Sequence, residues 1–471
     1  MSLDAPTDQD IIIVGVTGDL ARRKLLPALY NLHAAKLLPE SGKIFGYART
    51  PWNDHKLHEV AEESITEFSR TGLDKAAWKT FAHRLQFVPA EPDGFAVLKK
   101  DATQKERLVY LAVPPSTFPV VISSLGKAGL AKGTRVIVEK PFGRDLASAR
   151  QLHDTLHSVF PESQIFRIDH YLGKETVQNI LVFRLGNSVF ERVWNRDAID
   201  HVQVTVAEEI GIEGRGSFYE ETGALRDIVQ NHVFQVLSLL TMEPPSAFHG
   251  EAVRDEKTKL FQAMQPVRSD DVVRGQYTRG KSNGDAVPGY REEPGVKQES
   301  STETYIAMKL SIDNWRWAGV PFFIRTGKRL PRRTTQIDIA FKEAPVSFFR
   351  NTAVEKLPGN RLSLLIQPDE GITFSFQAKL PGPEIHVQPV QMEFSYSEQF
   401  VSRPAEAYER LIHDAMDGDQ TLFARGDMVE RSWEVVQAVI DETWPVYSYP
   451  AGSWGPEAAD TLLSPRTWYV K

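Results

Sequence analysis

Ile11-Ile12-Ile13-Val14-Gly15-Val16-Thr17-Gly18-Asp19-Leu20-Ala21 decides the fold of this chain. Four β-branched residues in a row read as a strand buried on both faces. The run stops at a glycine and restarts with helical spacing, Leu25, Leu29 and Leu32. The turn between has the form G-x-x-G-x-x-A. Glycines allow the backbone to approach a pyrophosphate, and a helix N-terminus offers free N–H groups and a positive dipole end. Ala21 is small enough for close helix-on-strand packing. Gly15, Thr17, Gly18, Asp19 and Leu20 are therefore candidate coenzyme contacts. A tight strand–helix turn without ligand is an equal reading of the motif alone.

Outward from this turn the pattern repeats. Ile44–Ala48, Leu108–Val113, Arg135–Glu139 and Gln164–Ile168 are apolar runs separated by helical stretches. That βα alternation predicts an α/β, Rossmann-type doubly wound sheet over residues 1–170. Residues 171–471 read differently. Thr176–Leu185, Leu225–Leu240, Ala405–Met416 and Asp427–Glu442 are expected helices. His201–Ile210, Thr304–Ile312, Gln336–Phe341, Arg361–Gln367 and Ile372–Gln377 are expected strands with no helices between most of them. This predicts an α+β second domain built on a large, mainly antiparallel sheet flanked by helices. Arg279–Val296, rich in Gly, Pro and charge, reads as a surface loop.

The 471 residues carry 41% hydrophobic and 25% charged residues, no Cys and a net charge of −7. This is ordinary globular composition. It excludes disulfides, thiolate nucleophiles and Cys-ligated metals. No apolar run approaches the roughly 20 residues of a membrane span, and Met1–Asp10 is no secretory signal. The reading is a cytoplasmic protein that binds neither nucleic acid nor membrane. An anionic ligand would need local basic residues that outweigh the global charge.

Such residues are present. Arg22, Arg23 and Lys24 follow the turn, where cations oppose the helix dipole unless an anion sits nearby. For at least one of them a solvated face suffices. Pro27 should distort the helix. The second strand ends in Arg49, 31 residues past Gly18, where an NAD site places a carboxylate. Arg suits a 2′-phosphate and favours NADP; a surface loop Arg is an equal reading.

Gln164–Ile168 runs into Asp169-His170-Tyr171-Leu172-Gly173-Lys174-Glu175. Ligands of open α/β sheets bind beyond the carboxyl ends of strands. His170, Tyr171 and Lys174 can all donate to a phosphate; a polar loop with Asp169 as a cap is the plainer reading. The helix after Thr222 carries Asp227, Asn231 and His232. At helical spacing His232 falls on the stripe Leu225, Ile228, Val229, Val236, Leu239, where a satisfied core histidine is common. Asp169 is a candidate partner for it, since a carboxylate on one ring nitrogen fixes the tautomer. Glu139-Lys140-Pro141 and Arg325-Thr326-Gly327-Lys328, with Arg332 and Arg333 beyond, add basic groups.

Together these segments resemble glucose-6-phosphate 1-dehydrogenases: GVTGDLARRK from Gly15, YLAVPPSTF from Tyr110, EKPFG from Glu139, RIDHYLGKE from Arg167, EGRGSFYEETGALRDIVQNH from Glu213, VPGYREEPGV from Val287 and FFIRTGKRLPRR from Phe322. The resemblance spans roughly residues 10 to 445. It implies an NADP-binding first domain and a second domain whose sheet makes a homodimer or a dimer of dimers. It implies oxidation of glucose 6-phosphate at C1 to 6-phospho-glucono-1,5-lactone, the first step of the oxidative pentose phosphate pathway, without a metal. By resemblance His232 is the general base and Asp169 its partner. His170, Tyr171 and Lys174 hold the substrate phosphate. Glu208 and Asp227 meet sugar hydroxyls, and Lys24, Lys328 and Arg333 complete the substrate site. Arg49 and Lys140 face the coenzyme.

Two rival readings share the first domain. A glucose–fructose oxidoreductase type enzyme acts on neutral sugar and would not need the His170, Tyr171, Lys174 cluster. A non-catalytic NADP-binding sensor would tolerate loss of Asp169 and His232.

Overall fold

The computed structural model describes residues 4–90, 94–344, 357–400, 405–442 and 444–470. Two compact units emerge. The first comprises Met1–Glu175, Pro244–Thr258 and Pro404–Arg431; the second comprises Thr176–Glu243, Lys259–Arg403 and Ser432–Lys471.

The first unit holds a six-stranded parallel sheet: β1 (Gln9–Val14), β2 (Ile44–Ala48), β3 (Leu85–Pro89), β4 (Glu106–Leu111), β5 (Thr134–Glu139) and β6 (Ile165–Ile168). Their order is β3-β2-β1-β4-β5-β6. The order reverses at β1, so the ligand crevice of this architecture lies past the carboxyl ends of β1 and β4. Every residue of β1 is buried, as two helix-covered faces require. The expected Rossmann-type sheet is present, with β3 in addition. That strand escapes pattern reading because it is short, contains Gln86 and ends in Pro89, which an edge position tolerates. The helix after β1 begins with a wide turn over Ala21–Leu25, closed by the Leu26 N–H on the Ala21 carbonyl, and continues as α-helix Leu26–Ala34. The distortion expected at Pro27 takes this form: the five-residue ring relieves the clash of the proline with the carbonyl four residues back.

The second unit is built on a nine-stranded sheet. In chain order its strands are β7 (Ile199–Ala207) and β8 (Val272–Thr278); then, past a small hairpin of β9 (Gly280–Ser282) and β10 (Asp285–Val287), come β11 (Tyr305–Leu310), β12 (Phe322–Gly327), β13 (Thr334–Phe341), β14 (Arg361–Gln367), β15 (Gly371–Lys379), β16 (Val387–Ser395) and β17 (Val446–Pro450). Neighbours run β16-β15-β14-β13-β7-β12-β11-β8-β17. All pair antiparallel except β12 with β7 and β17 with β8. The expected mainly antiparallel sheet is thus larger than the sequence pattern suggested. The Arg279–Val296 loop is corrected as well. Asn283 and Gly284 have φ of 53° and 89°, the paired positive values of a type I′ turn, and they close the β9–β10 hairpin. A 3-10 turn at Tyr290–Glu292 follows. Among the described residues no helix is long and apolar enough to cross a membrane.

Candidate active site

In the first unit the strand ends converge as the turn motif requires. Gly15 has φ 96°, and a Cβ there would stand 2.3 Å from the Ala112 carbonyl oxygen after β4. Only glycine fits so close an approach. The Gly18 N–H returns to the Gly15 carbonyl at 3.0 Å, and Arg22 N–H to Gly18 at 3.1 Å. This curls the chain through Thr17, Asp19 and Leu20 into the helix start. The Thr17 hydroxyl lies 3.4 Å from that of Thr50. Arg49, beside Thr50 at the end of β2, is exposed and forms no ion pair among the described residues. A glycine turn, a helix start and an open Arg–Thr pair fit a phosphorylated dinucleotide. The basic run divides. Arg22 meets Glu63 and Glu67 at 3.8 and 3.6 Å, and Arg23 meets Asp19 at 2.8 Å, all on the surface. Lys24 instead donates to Glu406 at 3.1 Å.

At the end of β6 the chain folds into successive tight turns. Leu172, Gly173 and Lys174 N–H groups donate to the carbonyls of Asp169, His170 and Tyr171. Asp169 is buried, and its Oδ1 accepts the Tyr171 N–H at 3.0 Å. Gly173 permits contact with Ala407, since a Cβ would stand 2.6 Å from its carbonyl oxygen. Lys174 Nζ lies 4.0 Å above the Tyr171 ring, and His170 stacks parallel to Tyr408 at 6.4 Å. The structure therefore gathers His170, Tyr171 and Lys174, and half-buried Lys140 follows β5 on the adjoining strand end.

Three residues beside this cluster, Glu139, Lys257 and Tyr408, were not among the expected site residues. Glu139 accepts from Tyr110 at 2.5 Å, and Tyr408 also bonds to it; loss of hydration pushes its carboxyl up to about 7, against the pull of both phenols and Lys140. Burial likewise pushes the Lys257 ammonium down to about 7, opposed by Asp169. Its Nζ has no hydrogen-bond partner among the described residues. Tyr408 and Lys257 lie far along the chain from β6, and only the tertiary fold brings them there.

The second unit gathers three of the remaining predicted residues, Glu208, Asp227 and Lys328, around Tyr219. Glu208 follows β7 and Lys328 follows β12, two parallel neighbours. Lys328 also passes 5.2 Å from the Tyr219 ring. Burial, with Asp227, Glu208 and Glu303 close by, raises the Tyr219 phenol well above its ordinary range. Asp227 is half-buried and His232 is 2% exposed. Both belong to a wide-wound stretch, Leu225–Val233, that continues as α-helix Phe234–Thr241. Its closing bonds include Phe234 N–H to the Val229 carbonyl, five residues back. His232 is buried with the stripe Leu225, Ile228, Val229, Val236 and Leu239, as its spacing suggested, although the local winding is wider than 3.6 residues per turn. Arg333 is exposed immediately before β13 and forms no side-chain hydrogen bond or ion pair among the described residues.

Two family models cover nearly the whole chain: glucose-6-phosphate dehydrogenase, NAD binding domain, over residues 12–179, and glucose-6-phosphate dehydrogenase, C-terminal domain, over residues 181–469. The chain is 43% identical to glucose-6-phosphate 1-dehydrogenase 2 of Mycobacterium tuberculosis over 97% of its own length and 94% of the relative's. A crystal structure of glucose-6-phosphate 1-dehydrogenase from Mycobacterium avium matches with a TM-score of 0.86 at 37% identity, covering 98% of this chain and 99% of that one. A structure of glucose-6-phosphate dehydrogenase in complex with its substrate glucose-6-phosphate matches over the full length of both chains, with a TM-score of 0.91 at 36% identity. With both domains matched in order and at this identity, the chain belongs to the glucose-6-phosphate dehydrogenase family.

Proposed function

We propose that this chain oxidises glucose 6-phosphate at C1 to 6-phospho-glucono-1,5-lactone, the entry step of the oxidative pentose phosphate pathway, with NADP as coenzyme. The observation that carries this is the Asp169–Lys174 cluster at the end of β6, in a chain matched by both family models.

NADP, when bound, supplies the acceptor for the C1 hydride. The Gly15–Leu20 turn would hold its pyrophosphate, Arg49 its 2′-phosphate, and Lys140 would lie toward it. His170, Tyr171 and Lys174 would bind the substrate phosphate by charge-assisted hydrogen bonds, with Lys24, Lys328 and Arg333 adding positive charge. Glu208 and Asp227 would orient sugar hydroxyls. His232 would take the C1 hydroxyl proton as general base, and Asp169 would hold the imidazole in the required tautomer. Local cations so offset the overall charge of −7. We further propose a cytoplasmic enzyme that works as a homodimer or a dimer of dimers through the second unit's sheet. Edge strand β16 supports this with Met392 at 58% exposure, and size-exclusion chromatography with light scattering tests it.

The decisive test follows reduced coenzyme by absorbance with glucose 6-phosphate and with glucose, each with NADP and NAD, for wild type and His232→Asn. The expected result is strong preference for the sugar phosphate and a kcat loss of roughly 10²–10⁴-fold in the variant, the usual worth of a positioned base. Equal turnover of glucose would overturn the substrate reading, and near-normal kcat in folded His232→Asn would remove His232 from the mechanism.

A further inference from the structure

The chain enters the helix of Asp227 and His232 through a break. Gly223 has φ 63° and ψ 176°, a region essentially restricted to glycine. The next two N–H groups are taken by one residue. Ala224 N–H donates to the main-chain carbonyl of Glu303 at 3.0 Å, and Leu225 N–H donates to the Glu303 carboxylate Oε1 at 3.2 Å. A Cβ on residue 223 would stand 2.4 Å from that Oε1, so the glycine leaves room for the carboxylate. The Glu303 side chain is 6% exposed, and its Oε2 accepts from Arg274 Nη2 at 2.9 Å. Arg274 also donates to the Ser301 carbonyl at 2.9 Å. It lies in β8 and pairs with Ile306 of β11, the strand that begins two residues after Glu303. The anchor is therefore tied to the sheet.

We propose that Glu303 is a positioning residue that sets the height and rotation of the helix starting at Leu225, and through it Asp227 and His232. Winding explains why the start matters. In an ordinary α-helix residues five apart point about 140° away from one another. In the wider i→i+5 winding of Leu225–Val233 they come nearly onto one side. Asp227 and His232 are such a pair. A shift of the first turn would therefore move both together. The main-chain and side-chain oxygens of a single residue, gripping consecutive N–H groups, fix that turn. This inference rests on His232 as the base and Asp227 as a sugar contact.

The test measures kcat and both KM values for Glu303→Ala, Glu303→Gln, Gly223→Ala and the Gly223→Ala/Glu303→Ala double variant, beside His232→Asn. Glu303→Ala should lower kcat about tenfold to a hundredfold, as for a reacting group misplaced by about an ångström, with KM for NADP unchanged. Glu303→Gln, whose amide oxygen still accepts from Leu225, should recover most of the rate. Gly223→Ala should displace the carboxylate and reproduce the loss, and the double variant should be no slower than either single one. Wild-type kcat in folded Glu303→Ala overturns the proposal, as does a Glu303→Gln enzyme as slow as Glu303→Ala. Should Glu303→Ala not fold, full activity in Gly223→Ala overturns it. An inactive His232→Asn beside a fully active Glu303→Ala rejects the positioning role alone; an active His232→Asn rejects the base.

Discussion

Lys328 Nζ donates to Glu208 Oε2 at 2.7 Å, with the lysine side chain 3% exposed and the glutamate 31% exposed. The pair forms because β7 and β12 run parallel and end side by side, Ala207 opposite Gly327. The Tyr449 hydroxyl donates to the Lys328 carbonyl at 2.7 Å, and Lys328 N–H donates to Thr304 at 2.9 Å, which fixes the backbone at this point. Lys328→Met keeps the length of the stem and removes the charge. It should raise KM for glucose 6-phosphate by roughly tenfold to a hundredfold, the equivalent of about 1.5–3 kcal/mol for a hydrogen bond to a charged group. KM for NADP should hold. An unchanged sugar-phosphate KM would make the pair a support of the strand ends only.

Lys174→Ala removes the ammonium that lies over the Tyr171 ring. The same range applies: KM for glucose 6-phosphate should rise roughly ten- to a hundredfold. The rate with unphosphorylated glucose should hardly move. Equal losses on both sugars would assign Lys174 to the fold of the turn or to the base.

Arg49 stands exposed beside Thr50 at the end of β2. A guanidinium fork meets a phosphate with paired hydrogen bonds, and NAD offers no 2′-phosphate to meet. Arg49→Ala should lower the NADP/NAD ratio of kcat/KM about tenfold or more. Thr50 and Thr17, whose hydroxyls are 3.4 Å apart, should keep part of the preference, so complete reversal is not expected. An unchanged ratio returns Arg49 to the solvated surface.

Glu139 gives a pH signature. Its folded carboxyl is raised from 4.5 to about 7, first by loss of hydration. The native state then holds the proton more tightly than the unfolded chain does. This contribution to stability is complete below about pH 4.5 and is lost as pH rises through 7. Denaturation midpoints of the coenzyme-free protein should therefore fall more steeply across that window in wild type than in Glu139→Gln. Parallel curves would show that Glu139 ionises normally.

Five of the first sheet's six strands, all but β3, were readable as apolar runs, and its turn is written in consecutive residues, Gly15 to Ala21. Strands β8, β12, β16 and β17 were not, for differing reasons. β12 is a short, wholly buried run, and β16 is an edge strand with mostly exposed or half-buried residues. The β9–β10 hairpin was announced by Asn283-Gly284, a signal masked by the polar composition around it. The cluster after β6 was legible because it is contiguous. Tyr408, Lys257 and Glu303 were not, since each acts on residues far from it in sequence. The wide winding around His232 was hidden by the assumption of one helical period.

The segment Pro404–Arg431 belongs to the first unit although it is made after most of the second. Its contacts are with residues made long before it. Gln9 donates to the Met416 carbonyl at 2.9 Å, Asn31 and Arg70 both donate to Glu409, and Phe423 packs edge-on against Phe166. During synthesis the first six strands emerge early, yet one flank stays uncovered until the final tenth or so of the chain leaves the ribosome, after roughly 20 s or more. The first unit therefore receives its last helix long after its six strands have been made.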